Sequence, residues 1–155
     1  MTVLGSTYIL RPATVQDAKH LVPRLKDIEE WDAVAKDGHK LLAPCIAMSD
    51  EAWTIAERKA PWVPHMIFGV VTEGNLMPTT WLTGSDLAER DAMWLLQNAR
   101  PFMAEFFGRW PLTQCYPDSR NVVHHRWLKW LGYEFIEEVR MGHLNHPFFY
   151  YIKEP

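Results

Sequence analysis

The sequence predicts a mixed α/β domain, a sheet with helices on both faces, and three observations carry that reading. Its 155 residues fit one domain of ordinary size and leave no room for two catalytic ones. Runs rich in β-branched and aromatic residues alternate with segments of helical period, and helices between adjacent strands call for a mixed sheet covered on both sides. Apolar residues make up 48% of the chain and charged residues 23%, the balance of a packed protein rather than a disordered one. Eight Trp, seven Phe and five Tyr bring large buried area per residue, which lets a small domain build a solid core.

Residues 8–11, closed by Pro12, form the first strand. Thr14 then offers an N-cap with Asp17 three residues on, and Ala18, Leu21, Val22 and Leu25 mark one helical face until Pro23 breaks it. A second helix follows through Ile28, Trp31 and Val34, whereas residues 37–48 show no clear period. Ser49 caps a further helix over 50–59 that stops at Pro61. From Trp62 the pattern turns strand-like: residues 66–72 are dominated by β-formers, Glu73, Gly74 and Asn75 make a turn, and 79–83 resume an extended run. A long helix starts with Asp86 as N-cap and Glu89 three residues on. Ala92, Leu95, Leu96, Ala99, Met103 and Phe106 form its apolar stripe, Pro101 kinks it and Gly108 closes it. Residues 112–116 make a short strand, and Pro117, Asp118 and Ser119 open another helix. On it Val123, Trp127, Trp130 and Leu131 share a face, and Gly132 ends it. Residues 133–141 and 148–152 pair as antiparallel strands.

Charge and composition exclude several classes of function. Sixteen basic and 19 acidic side chains leave a net charge of −3, against a nucleic-acid binder that works by phosphate neutralisation. Residues 1–11 hold no long apolar run behind a basic start, so no signal peptide is expected, and no stretch approaches a membrane span. Cys45 and Cys115 stand far apart without metal-ligand spacing and read as buried thiols of a cytoplasmic protein. His143 and His146 lie three apart in a hairpin loop with no third ligand in view, which favours solvated histidines over a metal site.

Three stretches, taken in order, resemble the GNAT superfamily of N-acetyltransferases. They are Ile9-Leu10-Arg11-Pro12-Ala13-Thr14-Val15-Gln16-Asp17, the long helix after residues 83–86, and the last helix from Asn121 to Leu131 followed by Gly132-Tyr133. A narrower resemblance, to small GNAT-like proteins of short-tailed bacteriophages, rests on Phe68-Gly69-Val70-Val71, Trp81-Leu82-Thr83-Gly84 and Trp127-Leu128-Lys129-Trp130-Leu131-Gly132. The resemblance implies a single three-layer domain over residues 1–155, with a mostly antiparallel sheet of about six or seven strands. In it, strands 79–83 and 112–116 run parallel and splay apart. It further implies an acetyl-CoA or coenzyme A site, transfer of an acetyl group to an amine and, for a phage product, a target protein in the host cytoplasm. A degenerate GNAT-fold protein that binds a host protein, and a structural virion component, are the alternatives. Eight tryptophans also make an exposed apolar patch, and with it a homodimer, plausible.

By the same resemblance, the coenzyme lies along Trp81, Leu82, Thr83, Gly84, Ser85, Asp86, Leu87 and Arg90, with Asn121 and Leu128 on the last helix. A diphosphate needs converging backbone N–H groups, which a helix N-terminus supplies. Here the family's glycine-rich loop keeps one glycine, Gly84, and carries Asp86 and Glu89 in the first turn, where their charge opposes a phosphate. Arg90 and Arg100 stand near enough in sequence to offset it. Asn121 either bridges to the pantetheine arm or N-caps its helix. Leu128 falls where the family carries a proton-donating tyrosine, so Tyr116 and Tyr133 are the candidate displaced donors. Glu73, Asp86 and the His124-His125 pair are the candidate general bases, and of two adjacent helical histidines at most one faces a cleft. Trp62 and Trp81, on strands, are placed to flank that cleft.

Overall fold

The structure is a computed structural model that describes residues 2–74 and 76–155. Met1 lies outside them, as does Asn75, the third residue of the expected turn; its neighbour Gly74 has φ +60°. The chain runs β1 (Thr2–Leu4), β2 (Tyr8–Pro12), α1 (Asp17–His20), α2 (Leu25–Val34), a 3-10 turn (Gly38–Leu41), α3 (Leu42–Met48), β3 (Glu51–Glu57), β4 (Ala60–Val71) and β5 (Thr79–Gly84). It continues through α4 (Asp86–Arg90), α5 (Ala92–Asn98), α6 (Arg100–Arg109), β6 (Thr113–Cys115), α7 (Val122–Trp130), β7 (Glu134–Met141) and β8 (His146–Lys153). Among the described residues eight strands form one sheet in the order β1-β2-β3-β4-β5-β6-β8-β7. Every pairing is antiparallel except β5 with β6.

The helix expected over 50–59 is strand β3. Thr54, Ile55 and Ala56 are all buried, because β3 is covered on both faces, and a strand so covered lacks the alternation that identifies one in sequence. Ser49 instead ends α3, its hydroxyl donating to the Cys45 carbonyl at 2.8 Å. The long helix after β5 is three helices, broken at Asp91 and Ala99. Pro101 sits in the first turn of α6, where a missing N–H costs nothing. The cap of α4 is Ser85, whose hydroxyl accepts from the Ala88 N–H, rather than Asp86. Residues 117–119 form a turn, in which the Asp118 carboxylate accepts the Arg120 N–H at 2.8 Å, and α7 starts only at Val122.

Two cores hold the layers together. On one face α4–α6 and Trp127 of α7 press on Leu10, Ile55, Met66 and Phe68, with Phe106 edge-on to Phe68 at 5.8 Å. On the other face Leu21, Leu42 and Ile46 pack on Ile67, with Trp31 and Trp81 against them. The β7–β8 hairpin tip reaches across to α2: the His143 N–H donates to the Val34 carbonyl at 3.3 Å, and His143 Nε2 lies 2.6 Å from the Asp32 carbonyl. Gly142 is needed there, since its φ is +77° and a Cβ would fall 2.2 Å from the Ala33 carbonyl.

Candidate active site

Strands β5 and β6 share one register pair, Thr79 with Gln114, and then part. The split follows from the connection: parallel neighbours need a crossover, and α4–α6 supply it. Beyond the pair, the β5 edge at Leu82 has no strand partner, whereas β4 saturates the opposite edge from Met66 to Val71. A cavity opens on each face of the sheet at this split. The one on the α4–α6 side, about 60 Å³, is lined by Phe68, Leu96, Met103, Trp127 and Leu128 among others. The one on the α2–α3 side, about 500 Å³, is lined by apolar side chains such as Trp31, Met48 and Met141, with Glu73 and Tyr116 at its wall. Thr80, Trp81, Leu82, Cys115 and His124 border both, so these five side chains form the partition between the two cavities.

His124, one of these shared side chains, is 3% exposed. Its Nδ1 lies 3.3 Å from Glu30 Oε1, and the same oxygen accepts the Asp118 N–H at 2.6 Å. Among the described residues its Nε2 has no oxygen or nitrogen partner, and the Cys115 side chain lies against the ring. Burial disfavours charge on this ring, but the Glu30 carboxylate and Cys115 outweigh it and hold the pKa well above the ordinary histidine value. His125 turns the other way, its Nε2 donating to the Ser119 carbonyl at 3.2 Å and its Nδ1 accepting from the Tyr151 hydroxyl at 3.1 Å. Burial lowers its pKa.

The two tyrosines occupy unlike places. Tyr133 is buried at the root of the split, its hydroxyl 2.8 Å from the hydroxyls of both Thr80 on β5 and Thr113 on β6. Burial raises its pKa well above that of a free phenol. Tyr116 is half-buried, stacked on Tyr150 at 4.7 Å, with its pKa also raised by burial. Glu73 is exposed at the larger cavity. Trp62 is 62% exposed and borders neither cavity.

The loop after β5 spends much of its backbone internally. The Gly84 N–H donates to Asp27 Oδ2 at 2.9 Å and the Gly84 carbonyl accepts from the Arg24 N–H at 2.8 Å. Ser85 donates to the His65 carbonyl at 2.7 Å, and Ala88 to the Ser85 hydroxyl at 3.4 Å. Thr83 is buried, Leu87 half-buried and Asp86 exposed. Arg90 is paired with Asp91 at 3.0 Å, and Arg100 lies over the Trp130 ring at 4.9 Å. Neither reaches the loop as a counter-charge. Asn121 does not cap α7 through its side chain. Its amide donates to Asp27 Oδ1 and accepts from Arg24 Nη2, both at 2.9 Å, which ties α2 to the start of α7. Arg24, 2% exposed, also lies over Trp127 and 3.1 Å from Glu89. Burial raises the pKa of Asp27, with Arg24 opposing.

Arg24, Asp27 and Glu30 are the site residues that sequence reasoning missed. They recur every third residue, Arg24 as the N-cap of α2 and the other two within it, and all three are buried, while Leu25 is 68% exposed. A charged stripe of this spacing ahead of Ala33 was the available signal. Of the hairpin histidines, His143 is exposed and also meets the Asp32 carbonyl of α2, whereas His146, at the start of β8, is half-buried with Nε2 2.9 Å from Asp118 Oδ1. Cys115 is buried and Cys45 half-buried at the larger cavity, its thiol pushed up to about 11 by burial. Among the described residues no group of three His, Cys, Asp or Glu side chains is placed to hold a metal. No helix among them is long and apolar enough to cross a membrane.

No protein-family model matches the chain, and no curated protein matches it. Solved structures do. The aminoglycoside acetyltransferase AAC(6')-Ib, in complex with ribostamycin and coenzyme A, superposes with a TM-score of 0.62 at 13% identity, covering 96% of this chain and 93% of that one. Ard1 from Thermoplasma volcanium gives 0.67 at 6%, covering 94% and 96%. A ribosomal-protein-S5-alanine acetyltransferase from Vibrio fischeri gives 0.61 at 9%, covering 95% and 92%. The fold is that of the GNAT acetyltransferases. At these identities the likeness is one of fold.

Proposed function

We propose that this chain is a GNAT-type acyltransferase that moves an acetyl group from coenzyme A to an amine. The observation that carries the reading is the split between β5 and β6, with a cavity on each face of the sheet and His124 bordering both. A thioester and an amine entering from opposite faces would meet there, and holding both reactants in register is itself a large source of rate. The residues fit the acyl arm. Trp81, Leu82 and Leu128 wall the gap, and the open edge at Leu82 offers an N–H and a carbonyl to an amide-bearing chain. The diphosphate end fits less well: with Gly84, Ser85 and Ala88 engaged, the N–H groups of Asp86 and Leu87 are left to receive it, beside the carboxylates of Asp86 and Glu89. The relatives' bound coenzyme A supports the donor in this reading.

The test is calorimetry with acetyl-CoA, followed by thiol release and mass spectrometry over a panel of amines. Binding with acetylated product supports the reading; no heat and no product overturns it. The engaged loop favours a second reading, a GNAT-fold protein that docks on another protein, a host protein if the gene is carried by a phage. Calorimetric silence with acetyl-CoA, together with a stoichiometric complex captured from host lysate, selects that reading over the first.

A further inference from the structure

We propose that His124 is the group that protonates the departing thiolate during acyl transfer, an inference that rests on the acyltransferase reading. Among the described residues His124 Nε2 has no oxygen or nitrogen partner, and the side chain borders both cavities. A thiol is a weak partner for a buried ring nitrogen, so a nitrogen satisfied only in that way beside both cavities is available to a stronger one. The ring is aimed by Glu30, which fixes Nδ1 as a donor and leaves Nε2, with the Cys115 side chain against the ring, as the nitrogen free to act. Glu30 is itself held by the Asp118 N–H. His124 also lies one helical turn before Leu128 on α7, so the two share a face. Leu128, at the wall of the smaller cavity, supplies shape and no proton.

Charged and titratable groups around the ring favour its cationic form. Glu30 faces it from α2 and Cys115 from β6, with Asp27 of α2 adding at longer range, while burial and the neighbouring His125 oppose. An imidazolium is a competent donor to an alkyl thiolate, whose conjugate thiol has a pKa of about 8.5. The step balances with an acyl thioester and a primary amine. The amine lone pair forms the new C–N bond, the C–S bond breaks, and its electron pair leaves on sulfur. The Nε2 proton passes to that sulfur and makes the thiol. The new amide nitrogen then gives its surplus proton to Nε2, which restores the imidazolium.

The experiment compares wild type, His124→Gln and Glu30→Gln with two acyl donors, acetyl-CoA and a nitrophenyl thioacetate whose thiolate leaves without a proton. His124→Gln lowers kcat with acetyl-CoA by about 10²–10⁴-fold, the range for a lost general acid, and leaves the aryl donor's rate and the KM for acetyl-CoA unchanged. Glu30, a positioning residue, shows the same donor dependence more weakly, with the alkaline limb of the pH profile moved to lower pH. Equal loss with both donors, or no loss with either, overturns the assignment while leaving acyl transfer standing. Wild type that acylates amines from neither donor overturns acyl transfer, and this inference with it. Ring-nitrogen NMR of wild type needs neither turnover nor a variant: a doubly protonated His124 at neutral pH is the expected result, and a neutral ring overturns the proposal.

Discussion

Replacing Tyr133 with phenylalanine removes one oxygen from the root of the split, and its cost follows from what that oxygen holds. The phenol bridges Thr80 and Thr113, at 2.8 Å each, and so fastens β5 to β6 where they share their one register pair. A neutral hydrogen bond contributes about 1 kcal/mol net, and a buried hydroxyl left alone costs about 1–3 kcal/mol. Thr80 is half-buried and regains water from the cavities, but Thr113 is fully buried and does not. The expected loss is therefore about 2–3 kcal/mol, or a melting temperature lower by roughly 4–10 °C for a chain of this size. Thermal and urea unfolding measure it, with Tyr116→Phe as a partly exposed control whose change stays within about 0.5 kcal/mol. The double variant Tyr133→Phe, Thr113→Val removes the orphaned hydroxyl and recovers about 1 kcal/mol of the loss. A Tyr133→Phe protein as stable as the Tyr116→Phe control, or a double variant weaker than the single one, would refute the clasp.

Asp17→Asn costs about 2–4 kcal/mol, since the buried carboxylate accepts from both Arg11 nitrogens, the Thr14 N–H and the Thr54 hydroxyl. Burial alone would raise its pKa, but those partners hold it below the usual carboxylate range. Its stabilisation is thus present above the unfolded value of about 3.9 and lost as pH falls through the folded value. Urea midpoints across acid pH lose that limb in the variant, and an unchanged limb contradicts the assignment. Gly69→Ala places a Cβ 2.7 Å from the Glu51 carbonyl and 2.9 Å from the Trp81 ring. It costs about 1–3 kcal/mol and shifts tryptophan fluorescence; an unshifted spectrum argues against Trp81 being wedged there. Asp86→Asn tightens acetyl-CoA about two- to fivefold at low salt by removing a carboxylate from the first turn of α4, and calorimetry showing no gain places the diphosphate elsewhere.

Sequence pattern reached the parts of this fold whose signals are local. Tyr8–Pro12, Thr79–Gly84 and the last two strands announce themselves as β-branched and aromatic runs, and Gly132, at φ +98°, ends α7 where a left-handed residue was expected. Strand β3 was hidden because both of its faces are covered. The apolar stripe of the long helix was real, and Pro101, in the first turn of α6, announces the break at Ala99, but the break at Asp91 carries no proline or glycine. Trp81, Leu82 and Leu128 do come together at the split, as a strand and a helix read from local period allow. What stayed illegible is pairing at a distance. Asp27 takes the Gly84 N–H across 57 residues, and Glu30 orients His124 across 94. Nothing in either neighbourhood shows the other half.

That distance sets an order of events. The larger cavity has α2 on one wall and α7 with the β7–β8 hairpin on the other, and the hairpin tip reaches α2 through His143, 111 residues beyond Asp32. Chains are made from the N-terminus, and long-range closures form slowly because loop entropy must be overcome first. Helices α1–α3 and strands β2–β5 have their local partners early, whereas the cavity has no second wall until the segment through Asn145 has folded back. The larger cavity is consequently the last part of the molecule to form, and a chain still being made carries β1–β5 without it.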